Sequence, residues 1–253
     1  MEKDKKDTNG KWLNLTQISL PVKILFTGYL IVIGVGLLIA GLQILLTHGM
    51  ADGKFGISVK DIVYSYYGNR EGSKLEKALN GSMKQYATPE ERAILIEWVR
   101  KGAPDDEYET KVKPIIQNNC SKCHGVIPSI PNLTKKEVIK DLAKVDTGAT
   151  VGQLTRLSHI HLFGMAFIFM LLGFVFSFAV GINKIIKSIL IFTPFAFQLI
   201  DIAAWWLTKI WPDFAYFVII GGFGYFTAST LMILISLYQM WIMKPRDENT
   251  WRN

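Results

Sequence analysis

The chain has 253 residues, half of them hydrophobic and 12% aromatic, with only 19% charged, and its mean hydropathy is +0.25. That balance excludes a disordered chain and an ordinary soluble domain, and points to a membrane protein with a modest extramembrane part. The formal charge of +7 comes from 28 Lys and Arg against 21 Asp and Glu; much of the excess flanks apolar runs, where basic residues set membrane orientation rather than bind nucleic acid.

Residues 1–23 are polar and Lys-rich (Lys3, Lys5, Lys6, Lys11, Lys23), and residues 24–46 then contain no charge. At 1.5 Å per residue this run can cross a hydrocarbon layer of ~30 Å. It is too long for a signal-peptide core and no small-residue cleavage site follows, so an uncleaved anchor is expected. Residues 47–156 form a long connector, and three further spans are expected at Leu157 to Val180, Ile185 to Leu207 and Ala215 to Met243, followed by a polar tail over 244–253. Positive charge in the N-terminal tail, at Lys184 and Lys187 and at Lys244 and Arg246 puts both termini in the cytoplasm and the long connector outside.

The connector is long enough for a small domain and carries helix signals. Thr88, Pro89 and Glu91 combine a cap, a proline at the first helical position and a capping-box carboxylate. A helix is therefore expected to Arg100, with Ile94, Leu95 and Trp98 at i, i+1 and i+4 and Gly102 as its stop. A second helix is expected from Asp105 to Asn118, and a third from Thr134, boxed by Glu137, to Lys144. Nothing in the segment signals a strand.

Only two cysteines exist, in the run Cys120, Ser121, Lys122, Cys123, His124. Cys-x-x-Cys-His is the attachment sequence for c-type haem: two thiols add to the porphyrin vinyl groups and the adjacent histidine ligates iron. A single helical turn can present both sulfurs to the macrocycle edge while the next residue reaches the metal. The alternative is half of a zinc site, but zinc needs four ligands and no other cysteine is available. The soft donors for a sixth ligand in the connector are Met50 and Met83; a thioether suits a haem that transfers electrons, and a gap-filling role in the core is the alternative.

The segment from Met83 through the helix ending in Trp98, Val99, Arg100, Lys101, Gly102 and Ala103 resembles the ligand-methionine loop and packing helix of small class I c-type cytochromes. In that family these elements follow the Cys-x-x-Cys-His run. Here they precede it, as in a circular permutation. More widely, the chain resembles membrane-anchored monohaem cytochrome c subunits of bacterial respiratory chains. The resemblance is carried by Gly68 to Ser73, Met83, Trp98 to Ala103 and Cys120 to His124, with a weaker echo in Ser158 to Gly164. It implies one covalent haem c, His124 as proximal and Met83 as distal ligand, and partners among other respiratory-complex subunits and soluble or membrane redox proteins.

The remaining histidines, His48, His159 and His161, lie at the outer ends of the first two spans. They are either interfacial residues or a quinol, metal or second-cofactor site; His48 and His161 could also ligate a b-type haem. On one continuous helix His159 and His161 point about 200° apart, so they share a site only if His159 precedes the first regular turn. Asp201 is the one acidic residue deep in a span, three residues after Gln198; it either locks the bundle or lines a polar pathway. Pro194 is expected to bend the third span, and Gly221, Gly222, Gly224 and Ala228 to allow close contact by the fourth. Lys111, Lys113, Lys122, Lys135 and Lys136 could steer an acidic partner or form a solvated face.

The expected fold is all-α: a four-helix transmembrane bundle with a small helical cytochrome c-like domain inserted between the first and second spans. Three functions compete: an electron-carrying subunit on the outer face of a bacterial inner membrane, a quinol dehydrogenase feeding its own haem, and a haem-based sensor.

Overall fold

The structure, a computed structural model, describes residues 14–49 and 56–246. Met50 and the basic residues Lys3, Lys5, Lys6 and Lys11 lie outside the described residues. All regular elements among the described residues are helical. The one β feature is an isolated bridge between Ser73 and Val145.

Four helices are long and apolar enough to cross a membrane: α1 (Leu20–His48), α9 (Val151–Ser177), α10 (Lys184–Ile210) and α11 (Ala215–Trp241). α1 carries Pro21 in its first turn, where the missing N–H costs nothing, and of its side chains only Leu30 is buried. Its other faces can be solvated by lipid. α9 begins six residues before the expected Leu157, because Thr150 and Gln153 form a reciprocal capping box that starts the helix ahead of its apolar stretch. α10 runs on through Pro194.

The tightest helix contact is that of α10 with α11, and glycine makes it. A Cβ at Gly221 would stand 2.7 Å from Asp201 Cβ and 2.8 Å from its Cα, and one at Gly224 would meet the Phe197 ring. Gly222, by contrast, faces open space apart from the Tyr225 hydroxyl at 3.9 Å. Small residues let helix backbones approach where lipid supplies no hydrophobic drive for association.

Polar clamps close one end of the bundle. Leu15 N donates to Phe178 O at 3.0 Å, Arg246 N donates to Thr16 Oγ1 at 3.1 Å, and the Gln239 side chain exchanges two 2.8 Å bonds with the Val180 backbone. Lys187 Nζ donates to Ala179 O at 2.6 Å. The segment before α1, the α9–α10 turn and the tail after α11 therefore sit together, as an even number of spans requires.

At the other end lies the extramembrane domain, built from α2 (Val59–Tyr66), α3 (Lys74–Asn80), α4 (Pro89–Arg100), a long interrupted helix and α8 (Lys136–Ala143). Its core joins Leu75, Leu79, Leu95, Trp98, Val112, Ile116 and Ile139. Thr88 and Glu91 cap α4 reciprocally. Its C-terminus is a Schellman motif: Gly102 N donates to Val99 O and Ala103 N to Trp98 O, with both residues at positive φ. α2 and α3 were not foreseen, although Ser58 with Asp61 and Ser73 with Glu76 supply their N-terminal caps. At α8 the expected start fails. Thr134 Oγ1 bonds Asn132 Oδ1 instead of capping, and the helix begins at Lys136 with no side-chain cap.

The chain leaves and rejoins the bundle through one seam. Arg70 N donates to Asp146 O, Asp146 N to Gly72 O and Ala149 N to Ser65 O, at 2.9–3.0 Å. Gly68 and Gly148 cross so closely that a Cβ at Gly68 would stand 2.2 Å from Asp146 O. Both have positive φ, so the seam needs glycine twice over.

Candidate functional site

The Cys-x-x-Cys-His run closes the interrupted helix. α5 (Asp105–Glu107) leads into a π segment over Tyr108–Val112, then α6 (Lys113–Ile115), a second π segment over Ile116–Cys120, and α7 (Ser121–His124). The wide turns close through Lys113 N to Tyr108 O and Ser121 N to Ile116 O. Pro114 lies between them and has no N–H for an ordinary i→i−4 bond, so the widened ladder accommodates it. The second π segment rotates the turn that carries Cys120 relative to a regular helix. Sequence periodicity, which foresees a plain helix to Asn118, cannot show this.

Both thiols are free. Cys120 is half-buried and packs against the domain core, whereas Cys123 is exposed. Burial, and secondarily the nearby Glu91 carboxylate, push the Cys120 thiol above the ordinary thiol range. The first turn of α4 therefore lies beside the cysteine turn. His124 Nδ1 stands 2.9 Å from Pro131 O. A carbonyl only accepts, so Nδ1 carries the hydrogen and Nε2 of the neutral ring keeps a lone pair for a metal. The loop is tied back by Leu133 N donating to His124 O at 3.1 Å.

Met83 is half-buried and caps a 3-10 turn over Lys84–Tyr86, between α3 and α4. Its neighbours Ser82 and Lys84 line, with Gln85, Pro89 and Arg92, an open surface depression to which Met83 itself does not contribute. Arg92 Nε is buried without a hydrogen-bond partner, and the Asn119 side chain reaches the Glu91 carboxylate. Next to the histidine, Val126 is 75% and Ile127 45% exposed, an apolar surface left uncovered around the cysteine turn. Among the described residues no three His, Cys, Asp or Glu side chains converge to hold a bare metal ion. Two thiols and an imidazole along one turn supply fewer than the four ligands of a zinc site, and with the uncovered apolar surface beside them they are the residues that could hold a planar macrocycle.

The membrane-edge residues are distributed differently from expectation. His159 lies in the third turn of α9, so the condition for sharing a site with His161 fails; it is exposed and packs on Phe163, ring centroids 5.1 Å apart. His48 Nδ1 stands 2.8 Å from Ser65 Oγ, whose own hydrogen goes to Asp61 O at 2.7 Å, so the imidazole is the donor. His161 Nδ1 donates to Leu157 O at 2.9 Å, and its ring meets Trp205 edge-on at 5.1 Å. Asp201 is 6% exposed and accepts from Trp205 Nε1 at 2.9 Å, not from Thr208. Gln198 donates to His161 O at 2.7 Å.

The lysines expected to steer a partner are mostly neutralised. Lys111 pairs with Glu107, Lys113 with Glu109 and Lys136 with Asp105, all within 3.4 Å. Among the described residues Lys122 and Lys135 have no ion pair.

Residues 140–247 match a family described as a transmembrane helical domain. The match takes in α9, α10 and α11 but less than half of the chain, and stops short of the cysteine turn. No curated protein and no solved structure matches the chain.

Proposed function

We propose that the chain is a membrane-anchored monohaem c-type cytochrome that passes single electrons on the outer face of a bacterial cytoplasmic membrane, as a subunit of a respiratory complex. The observation that carries the reading is the Cys120–His124 turn, with two free thiols and an imidazole whose Nδ1 is already committed to Pro131 O. In this reading Cys120 and Cys123 tether the porphyrin and His124 Nε2 is the proximal ligand. Met83 is the distal ligand, in a domain whose methionine loop precedes its haem turn. A haem held there supplies one-electron exchange between Fe(III) and Fe(II).

The chain's own residues have definable tasks. The Pro131 carbonyl fixes the ring plane of His124 and raises the basicity of Nε2. The core around Leu95, Trp98 and Ile116 holds the cysteine turn rigid and keeps water from its inner side. The basic residues Lys23, Lys184, Lys187, Lys244 and Arg246 gather at the opposite end of the bundle, which supports a cytoplasmic location for both termini.

The test is a pyridine haemochrome spectrum with iron quantification on the intact chain purified from its native host, alongside a denaturing haem stain. One c-type haem per chain is the expected result. A polypeptide mass equal to the bare translation product, with both thiols free, overturns the reading.

A further inference from the structure

A second site lies within the membrane bundle, at the end nearest the extramembrane domain. Four helices contribute to it. Tyr66 of α2 stacks on Trp205 of α10 at 5.9 Å and 14°. His161 of α9 meets the same indole edge-on. Asp201 binds the indole N–H through Oδ1, and Tyr225 of α11 and Tyr66 both lie within electrostatic reach of its carboxylate. The arrangement is deliberate in its backbone: Gln198 holds the His161 carbonyl, and Gly221 lets α11 rest directly on Asp201.

Two proton acceptors remain free in this cluster. His161 Nδ1 is the donor to Leu157 O, which leaves Nε2 with its lone pair. Asp201 Oδ2 has no hydrogen-bond donor among the described residues. The imidazole is half-exposed, and its helix neighbours Leu157 and Ile160 are exposed apolar side chains on a membrane-spanning segment, so the cluster is approached from lipid. Ionisable groups inside a membrane bundle are costly and mark ligand or proton pathways. A ligand reaching this one must dissolve in the bilayer, present hydroxyl donors to an imidazole and a carboxylate, and lie flat against aromatic rings.

We infer that the His161–Asp201–Trp205 cluster binds a membrane-soluble hydroquinone and accepts its protons. The redox half of this inference rests on the haem reading above. Oxidation breaks both O–H bonds of the hydroquinone: one proton passes to His161 Nε2 and the other to the Asp201 carboxylate. The two electrons would leave one at a time to a one-electron acceptor, the c-type haem proposed above, which a soluble one-electron redox protein would reoxidise between the two transfers, and the product is the quinone. Tyr66 positions the Trp205 indole through the ring stack and ties the cluster to the domain that carries the cysteine turn.

The experiment uses the full chain in lipid nanodiscs and a photoreactive azidoquinone, with the labelled positions mapped by peptide mass spectrometry. The label is expected on the α9 and α10 peptides that carry His161 and Asp201, and to be displaced by excess duroquinol. His161→Gln and Asp201→Asn each lower it by about tenfold, the effect of losing one hydrogen bond to a charged or strongly polar partner. Label spread evenly over the four spans of the wild-type chain, or unchanged in both His161→Gln and Asp201→Asn, overturns the site. The mapping needs no haem, so localised label on a chain without covalent haem upholds the quinone site and removes the haem reading. Absence of localised label on a haem-bearing chain does the reverse.

Discussion

The His124 imidazole donates from Nδ1 to the Pro131 carbonyl oxygen across 2.9 Å. That single bond selects the tautomer in which Nε2 is the acceptor, and it does so before any metal is present. The imidazole is preorganised by a loop seven residues downstream, itself pinned by the Leu133 N to His124 O bond.

On the haem proposal, Met83→Ala should leave haem covalently attached, because the proposed thioether links would involve only Cys120 and Cys123. It should abolish the weak near-infrared sulfur-to-iron band of the oxidised protein, and carbon monoxide should then bind the reduced form. Absorption spectroscopy of the purified variant checks this; a retained band assigns the sixth position to another group.

In chain produced without haem, the two thiols should alkylate at different rates. Cys123 is exposed, whereas Cys120 is half-buried with its thiol pushed up by burial and by Glu91. Reaction proceeds through the thiolate, so iodoacetamide should modify Cys123 first, by about tenfold or more in rate. Time-resolved peptide mass spectrometry reads the order, and Glu91→Gln should narrow the gap.

Trp98 is the largest fully buried side chain of the extramembrane core, and its Nε1 donates to Pro104 O at 2.9 Å. Trp98→Ala should destabilise that domain by about 3–5 kcal/mol, the usual cost of removing a buried indole. Trp98→Phe should cost about 1–3 kcal/mol, chiefly through the unpaired Pro104 carbonyl. Hydrogen exchange over residues 74–143 measures the loss, and the membrane bundle should be unaffected.

The acid limb of domain stability should come from surface carboxylates. Lys136 and Lys140 hold the Asp105 carboxyl below its usual range, and Lys101 does the same for Glu97 and Glu107. A carboxyl depressed in the folded state stabilises fully above its unfolded value and loses that stabilisation as pH falls through the folded value. Because these carboxylates are exposed, solvent screens their contribution, and domain stability should show only a shallow decline below about pH 4 from them. Asp105→Asn should shallow the decline, read as the denaturant midpoint against pH; an unchanged slope would assign the acid limb to other groups.

The contrast between the two sites shows what sequence alone can determine. The four spans were legible because a membrane-crossing helix needs a long uncharged run, and Thr88 with Glu91 marked the start of α4 because a helix terminus must satisfy its own N–H groups locally. The Cys120–His124 run is equally local, since the attachment motif it resembles is contained in five consecutive residues. Tertiary structure alone decided the π-widened turns around Pro114, the pairing of Lys136 with Asp105 and the separation of His159 from His161. It also decided the meeting of Tyr66, His161 and Asp201 around Trp205. Those features depend on helix phase and on packing between segments that are distant along the chain, and no local pattern of residue types encodes either.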